Sequence, residues 1–269
     1  MLNIVVLLNH NDGEDIIRSV KKLTGFGSVY KIIVVDNGST DASLTEIKKF
    51  KSSKLLIVEN KENLGFGRGC NVGIKLALAL GADNVANLNP DLDYSFDFIK
   101  PLSQSGIDIV APVLKTKQNG KYVYDFGGKI NWFLGRAYHL VSSKAKGTTF
   151  NTQPDLGPQR SEDSSRECDY ASGGAILVKR KVFDEIGFFD ERFFIYYEDA
   201  DFSIRAKKAG FSVGVDKDVV IEHLLEEVKV THNRVKINNN LISNFKFIVK
   251  WVPWYFKPIA MLYLLWLWS

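Results

Sequence analysis

From its N-terminus to Leu88 the chain alternates short β-branched runs with stretches of helical spacing, and this alternation leaves few architectures open. Asn3 to Leu8 reads as a strand and Glu14 to Leu23 as a helix, and Lys31 to Val35 followed by Ala42 to Phe50 repeats the pair. Lys54 to Val58 is a third strand, Asn71 to Leu80 a further helix, and Asn84 to Leu88 a fourth strand. Strands separated by helices are too far apart for hairpins, so they pair in parallel and the helices cover the faces. The expected fold is α/β, with a Rossmann-like, mostly parallel central sheet. Ligands of such sheets bind beyond the carboxyl ends of the strands.

A chain of 269 residues is long enough for one large domain or a domain with an appended segment. Hydrophobic residues at 45% and charged residues at 25% are ordinary for a globular protein, which argues against disorder. The two cysteines, Cys70 and Cys168, lie far apart without ligand spacing, so neither a disulfide framework nor a zinc site is indicated and a reducing compartment is expected. The opening Met1 to His10 lacks the basic flank and cleavage site of a secretory signal and reads as the first strand. A cytoplasmic location follows from these two readings.

Three consecutive strand ends carry ligand-type groups: Asp36 and Asn37 after the second strand, Asn63 to Gly69 after the third, and Asn89-Pro-Asp-Leu-Asp93 after the fourth. Asp91 and Asp93, held past a buried strand by Pro90, have the chemistry to clamp a hard divalent cation that also binds a diphosphate. The same residues also describe an Asx-type turn. Asn63-Leu-Gly-Phe-Gly-Arg-Gly-Cys-Asn71 places glycines and N–H groups at a helix start, where an anion is favoured, with Arg68 as an added cation. Its glycines do not fit the dinucleotide fingerprint, and a Walker A loop is absent, which disfavours a dehydrogenase or a P-loop NTPase. Ser39, Thr40 and Asp41, with Ser43 and Glu46 at capping-box spacing, have a structural explanation as a helix start. Further on, Phe126-Gly-Gly128 and the polar stretch Ser142 to Glu167 read as loops.

Order returns at Tyr170 to Val178, a glycine-marked turn into a buried strand, and the densest polar cluster is Tyr196-Tyr-Glu-Asp-Ala-Asp201 at a helix entry. There Asp199 or Glu198 could face a cleft as a general base, while Asp201 pairs with Arg205 one turn on. Acidic residues in a first helical turn also complement the helix dipole. His223, after the apolar run Val219 to Ile221, is a candidate metal ligand or phosphate partner; a lone histidine is as often structural.

Taken together, Val34 to Asp41, Asn63 to Gly73, Leu88-Asn-Pro-Asp91, Ala171-Ser-Gly-Gly174 and Gly187 to Arg205 resemble the family-2 glycosyltransferases of GT-A fold, and within them the rhamnosyltransferase-like branch. The resemblance covers roughly residues 1 to 225. It implies that Asp36 contacts the nucleotide and that Asn37, Asn63, Gly65, Phe66, Arg68, Asn71 and Asn89 belong to the nucleotide-sugar site. It makes Asp91 the last carboxylate of a D-x-D metal motif whose first position here is Asn89, so that Mg²⁺ or Mn²⁺ would lean on Asp91 with Asp93 or His223. It makes Asp199 the catalytic base with Glu198 beside it, and Gly173 and Gly174 part of the acceptor site. The implied reaction is a single in-line displacement with inversion, from a dTDP- or UDP-sugar, with dTDP-rhamnose foremost, to a glycan or polyprenyl-diphosphate-linked acceptor in surface polysaccharide synthesis. No nucleic-acid partner is implied. A sugar-1-phosphate nucleotidyltransferase would need a basic phosphate loop where His10-Asn-Asp-Gly13 stands, and a degenerate binding module is suggested only by Asn89.

The expected division is residues 1–227 for the glycosyltransferase domain, with 1–100 on the nucleotide side and 101–227 on the acceptor side, followed by a basic C-terminal segment, 228–269. Net charge is only +4, yet no acidic residue follows Glu227, and Lys229, Arg234, Lys236, Lys246, Lys250 and Lys257 do. Trp251, Trp254, Trp266 and Trp268 fall in the same segment, and Trp with Lys marks a membrane interface. Pro253 and Pro258 break the apolar stretch below spanning length. The segment therefore reads as a helical anchor lying on the membrane surface, or alternatively as a helix docked on the domain or a second subunit.

Overall fold

The computed structural model describes residues 1–118, 120–143, 165–224 and 234–268. In chain order the elements are β1 (Asn3–Asn9), α1 (Gly13–Thr24), β2 (Val29–Asp36), α2 (Ser43–Lys49), β3 (Leu55–Glu59), α3 (Phe66–Ala79), β4 (Asn84–Leu88), β5 (Leu92–Asp93) and α4 (Ile99–Ser103). They continue with β6 (Ile109–Gln118), β7 (Lys121–Asn131), β8 (Arg136–Ser142), β9 (Ser165–Glu167), β10 (Ala175–Lys179), α5 (Arg180–Ile186), α6 (Glu198–Lys208), β11 (Val213–His223), α7 (Arg234–Trp251) and α8 (Lys257–Trp268). The expected strands and helices of the first ninety residues are all present, with ends displaced by a few residues.

A single sheet runs β3-β2-β1-β4-β10-β6-β11-β5, with β7 and β8 extending from β6 and β9 lying on β11. The first four strands are parallel, as the alternation predicts. The second part is mixed: β10 runs antiparallel to both β4 and β6, and β11 returns parallel to β6. The chain steps outward from β1 to β2 and later returns to β4 on the other side. This makes the carboxyl ends of β1 and β4 a topological switch point, the place where such sheets open a crevice.

The period-2 side chains divide the core cleanly between two layers. Val5, Leu7, Ile32 and Val34 face Ile16, Val20 and Leu23 of α1. Ile4, Val6, Ile33 and Val35 face Cys70, Ile74 and Ala77 of α3. Each fully buried aliphatic side chain of this kind contributes about 1.5–3 kcal/mol, so both helices are held by the sheet rather than by their own propensity.

The helix expected from Asn71 begins five residues earlier, at Phe66. Its glycines, which suggest a loop, are the reason it lies so close to the sheet. A β-carbon on Gly69 would stand 2.6 Å from Leu8 Cδ1, and one on Gly73 2.5 Å from Val6 Cγ1. Two other expectations are also revised. Phe126 to Gly128 lies within β7, at a bulge where the register to β8 shifts, rather than in a loop. The capping box at Ser43 is not formed: Glu46 pairs with Lys49, and the N–H of Ser43 is taken by Asp41 at 3.1 Å. Of the stretch Ser142 to Glu167, residues 144–164 lie outside the described residues, as does Lys229.

The C-terminal helices form a layer of their own. Leu241, Ile248 and Val252 of α7 and the turn after it pack on Ala260 and Leu264 of α8. Ser243 Oγ donates to Ile195 O at 2.7 Å, and Asn244 Nδ2 to Gly135 O at 2.6 Å, which fixes α7 to the domain. The anchoring point is Asp201, 0% exposed, which accepts from Arg205 Nε at 2.9 Å, from Trp251 Nε1 at 2.7 Å and from Lys250. So α7 docks on the domain, while the turn before α8 and the outer side of α8 are exposed, with Trp254 at 81% and Trp266 at 68%. No described helix is long and apolar enough to cross a membrane.

Removing Asp201 takes the carboxylate from Arg205 and the acceptor from Trp251 Nε1, while Lys250 keeps Asp190 at 2.7 Å. Asp201→Ala is expected to cost about 3–5 kcal/mol, the usual penalty for breaking a buried ion pair from one side. Urea unfolding of the full chain measures it, and a loss below about 1 kcal/mol would show that α7 is held by apolar packing alone.

Candidate active site

A cleft of about 240 Å³ opens at the switch point. Leu8, His10 and Asp12 enter it from the end of β1, and Asn89, Pro90 and Asp91 from the end of β4. Its opposite wall is Asn63, Gly65 and Phe66 at the start of α3, together with Phe194 and Ile195. The two parts of this opposite wall come from distant sequence, and one backbone bond joins them: Phe66 N–H donates to Phe194 O at 2.6 Å. Only glycine permits this approach at position 65, where φ is +84° and a β-carbon would stand 2.4 Å from Phe194 O.

The polar groups after β2 organise the wall more than they face the cleft. Asn37 is fully engaged: Nδ2 donates to Asn63 Oδ1 at 2.9 Å and to Gly65 O at 3.2 Å, and Oδ1 accepts from Asn60 Nδ2 and Leu64 N at 3.1 Å. It still lines the cleft. Asp36 is 2% exposed and outside the lining; its oxygens accept from Asn9 Nδ2 at 2.7 Å and Ser39 N at 3.1 Å. Asp36 thus positions Asn9 and the turn at Ser39 behind the cleft. Arg68 and Asn71 likewise lie outside the lining, on the far side of α3. Arg68 pairs with Glu191 at 3.5 Å, and Asn71 clamps both N–H and C=O of Phe189 at 3.0 and 2.9 Å.

The candidate metal ligands separate. Asp91 and His223 meet, Oδ2 to Nε2 at 3.1 Å, because β5 pairs with the end of β11. Asp91 Oδ1 is buried with no hydrogen-bond partner. Asp93 stands apart from this pair: Asp91 is in the turn before β5 and Asp93 in the strand itself, where its carboxylate pairs with Lys22 of α1. Asp12 takes its place near the cleft, its carboxyl raised above the ordinary range first by burial and further by Asp91. Among the described residues no three His, Cys, Asp or Glu groups converge on one point. Asp91 therefore offers a free oxygen and His223 a ring nitrogen, a set that fits a Mg²⁺ or Mn²⁺ ion completed by diphosphate oxygens and water.

On the other side the chain enters α6 through Tyr196 and Tyr197, both left-handed, with φ of +69° and +68°. Such non-glycine residues cost about 1–3 kcal/mol each and cluster where a functional side chain must be aimed. Asp199 is aimed at the Gly173 turn: its Oδ2 accepts from Gly173 N at 3.0 Å and its Oδ1 from Ala200 N at 2.7 Å. A β-carbon on Gly173 would stand 3.5 Å from both Asp199 Oδ2 and Phe66 Cε1, and one on Gly174 3.4 Å from Asn89 Nδ2, so this turn joins Asp199 to the cleft wall. Burial raises the Asp199 carboxyl above its ordinary range. Glu198 faces inward instead, 5% exposed against Gly67, with Oε2 unpartnered. Burial first, and then the charge of Asp199, keep it neutral well above the usual carboxylate range. Its expected share in catalysis is corrected to a buried neighbour. His10, Asp12, Phe194 and Ile195 were missed. His10 and Asp12 follow a parallel strand end like the residues singled out, and that signal could have found them.

The chain has the GT-A glycosyltransferase fold. Its structure superposes on that of GalNAc-T7 with UDP, GalNAc and Mn²⁺ with a TM-score of 0.68, at 15% identity, over 93% of this chain and 48% of that one. It also superposes on the mannosyltransferase PcManGT of Pyrobaculum calidifontis, in complex with GDP-Man and Mn²⁺, with a TM-score of 0.60 at 16% identity, over 97% and 69% of the two chains. Residues 4–187 match the family model described as Glycosyl transferase family 2, and the protein belongs to that family. Relatives include the low-salt glycan biosynthesis hexosyltransferase Agl10 of Haloferax volcanii, 26% identical over 78% of this chain, and the N-acetylglucosaminyl-diphospho-decaprenol L-rhamnosyltransferase of Mycobacterium tuberculosis, 28% identical over 71%. The matched stretches span 63% and 66% of those relatives' own lengths.

Gly65→Ala tests the joint between the two parts of the opposite wall. Forcing a methyl against Phe194 O at a left-handed position is expected to cost about 1–3 kcal/mol, read by thermal unfolding, and to weaken binding of UDP or dTDP in calorimetry.

Proposed function

We propose that the protein is an inverting glycosyltransferase whose base is Asp199. The observation that carries this reading is the placement of Asp199 on the Gly173 turn, across the Phe66 wall from the Asp91–His223 pair. Residues 1–100 then form the nucleotide side and 101–227 the acceptor side, with 228–269 as the membrane-facing segment.

The nucleoside diphosphate of the donor occupies the cleft between Asn63, Gly65 and Phe66 on one wall and Asn89 to Asp91 on the other. Asp91 and His223 would hold Mg²⁺ or Mn²⁺, which would supply positive charge to the departing diphosphate. The acceptor hydroxyl approaches from the Gly173–Gly174 side. Its oxygen attacks the anomeric carbon, the bond to the diphosphate oxygen breaks with its electron pair, and the hydroxyl proton passes to the Asp199 carboxylate. Attack opposite the leaving group inverts the anomeric centre, and no enzyme nucleophile takes part. Two N–H donors hold Asp199 in one rotamer, while its raised pKa makes it a stronger base near neutrality than an exposed aspartate.

The donor is dTDP-rhamnose, a choice supported by relatives named as an L-rhamnosyltransferase and as the dTDP-rhamnosyl transferase RfbF of Shigella flexneri. The acceptor is a polyprenyl-diphosphate-linked glycan of a surface polysaccharide, supported by the decaprenol-linked substrate in one relative's name. It is reached at the cytoplasmic face of the membrane, on which the bare side of α8 rests. Trp254, Leu262, Leu265 and Trp266 supply exposed apolar surface there, and no acidic residue after Glu227 opposes anionic lipid.

Turnover of nucleotide sugars in the presence of Mg²⁺ or Mn²⁺ and lipid-linked acceptor tests the reaction. Asp199→Asn is expected to lower kcat by about 10²–10⁴-fold, and Asp91→Asn and His223→Ala to weaken metal dependence, while Asp93→Asn leaves it unchanged. Because the base must be ionised, wild-type kcat/KM should fall as the pH is lowered through the raised pKa of Asp199. Retained turnover in Asp199→Asn would remove Asp199 from the mechanism. Separately, the double variant Trp254→Ser, Trp266→Ser should lose most co-sedimentation with phosphatidylglycerol vesicles. Equal binding by the wild type and this variant would reject α8 as the membrane contact.

A further inference from the structure

The apolar surface at the C-terminus continues onto the glycosyltransferase domain. The tip of the β7–β8 hairpin, Trp132-Phe-Leu-Gly135, leaves Trp132 at 37% and Phe133 at 47% exposure. Turns ordinarily carry small polar residues, so two exposed rings here call for an occupant. They stand at one end of a series of ring contacts. Phe133 meets Phe256 edge-on with centroids 5.4 Å apart, Phe256 meets Tyr255 at 4.6 Å, and Tyr255 meets Trp254 at 5.8 Å. Tyr255 and Trp254 are exposed in their turn, and Ile259, Leu262 and Trp266 carry exposed apolar surface along one face of α8. One ridge therefore joins the hairpin tip, the turn after α7 and α8.

The tip is fastened to this ridge. Gly135 takes φ +64°, its carbonyl accepts from Asn244 Nδ2 of α7, and a β-carbon there would stand 2.5 Å from Ile248 Cγ1. At the base of the hairpin, Ile130 N–H donates to Asp169 Oδ2 at 2.9 Å, and Gly128 N–H to Tyr170 O at 2.9 Å. Asp169 and Tyr170 lead straight into the Gly173 turn, so whatever the tip touches also orients the acceptor side.

Charge indicates what covers the ridge. The chain has 31 acidic residues, yet its two longest stretches without one are residues 126–154, which hold the hairpin tip, and 228–269, which hold α7 and α8. The two segments that meet at the ridge are the two that exclude acids. Cations remain in both, Arg136 directly after the tip and Lys246 and Lys257 on the helices. Exposed rings in an acid-free, cationic setting match the interface of an anionic bilayer, where rings sit at headgroup level and cations meet lipid phosphate. A second copy of the chain would set like charge against like.

We infer that the tip of the β7–β8 hairpin is a second membrane contact, which enters the headgroup region of an anionic bilayer together with α8 and so turns the acceptor side of the cleft toward the lipid surface. This rests on the reading of α8 as the membrane-facing helix. With two contacts from distant parts of the chain, the domain is held in one orientation, whereas α8 alone would leave it free to tilt about the helix.

The chain has five tryptophans, so the full-length protein labelled with 5-fluorotryptophan gives five ¹⁹F resonances, assigned by Trp132→Phe, Trp251→Phe, Trp254→Phe, Trp266→Phe and Trp268→Phe. In phosphatidylglycerol nanodiscs doped with a gadolinium-headgroup lipid, the resonances of Trp132, Trp254 and Trp266 should all broaden. Trp251, whose Nε1 donates inward to Asp201, is the control that should stay sharp. Broadening of Trp266 with Trp132 as sharp as Trp251 overturns the inference and leaves α8 as the membrane contact. If neither broadens, the membrane reading of α8 fails and the inference with it. In co-sedimentation with phosphatidylglycerol vesicles, the double variant Trp132→Ser, Phe133→Ser should bind about tenfold more weakly, the low end for withdrawing an aromatic side chain from apolar surroundings. Unchanged binding also overturns the inference. Because Phe133 packs on Phe256, thermal unfolding of this variant is measured alongside, and the ¹⁹F result on the unaltered tip decides where the variant does not fold. A lipid-free dimer in sedimentation velocity that the same two substitutions dissociate would assign the ridge to a second copy and overturn the inference.

Discussion

The close seating of α3 on the sheet is the constraint on which the site depends. Gly69 and Gly73 remove the side chains that would separate the helix from Leu8 and Val6, so the helix starts low, with its first residues level with the carboxyl ends of the strands. From that position Phe66 N–H reaches Phe194 O, and Asn71 holds Phe189 by both backbone groups. A single helix thus carries the cleft wall and also fixes the chain that leads, through two left-handed tyrosines, to Asp199. Larger residues at 69 or 73 would lift the helix and move both walls together.

Asp201 performs the corresponding task for the C-terminal helices. Its burial is tolerable because three donors satisfy it, and those donors come from α6 and α7. The helix that begins with the proposed base is therefore the one on which the C-terminal layer rests. The hairpin tip adds to this contact: Phe133 packs against Phe256 with centroids 5.4 Å apart, and Trp132 stacks near Phe247. The proposed membrane-facing surface and the acceptor side of the site are thereby linked through rigid elements, a geometry suited to an acceptor whose lipid stays in the bilayer.

Neighbouring acids behave differently here because their surroundings differ. Glu198 is enclosed against α3 and stays neutral. Asp199 is half-buried but receives two N–H bonds, from Gly173 and Ala200. Asp201 is fully buried and fully paired. Three carboxylates within one helical turn thus separate into a neutral neighbour, a proposed base and a structural ion, and their spacing alone contains none of that information.

Local pattern determined the parallel half of the sheet, because β-branched runs and helical spacing are properties of consecutive residues. It also brought out Asp91, Asp199 and the glycine turn at 173 as polar groups at element ends. Tertiary structure alone decided which of these converge. Asp93 turns to Lys22 because Asp91 lies in the turn before β5, outside the strand's two-residue period, while Asp93 is pinned opposite Glu222 of β11, a pairing across more than a hundred residues. Arg68 and Asn71 are directed to Glu191 and Phe189, partners whose positions depend on how α3 seats, and Asp36 to Asn9 and Ser39 at neighbouring strand ends. Phe194 was illegible as a cleft residue because its carbonyl meets Phe66 N–H across more than a hundred residues, and one chain of residues contains no signal for contacts made across that distance.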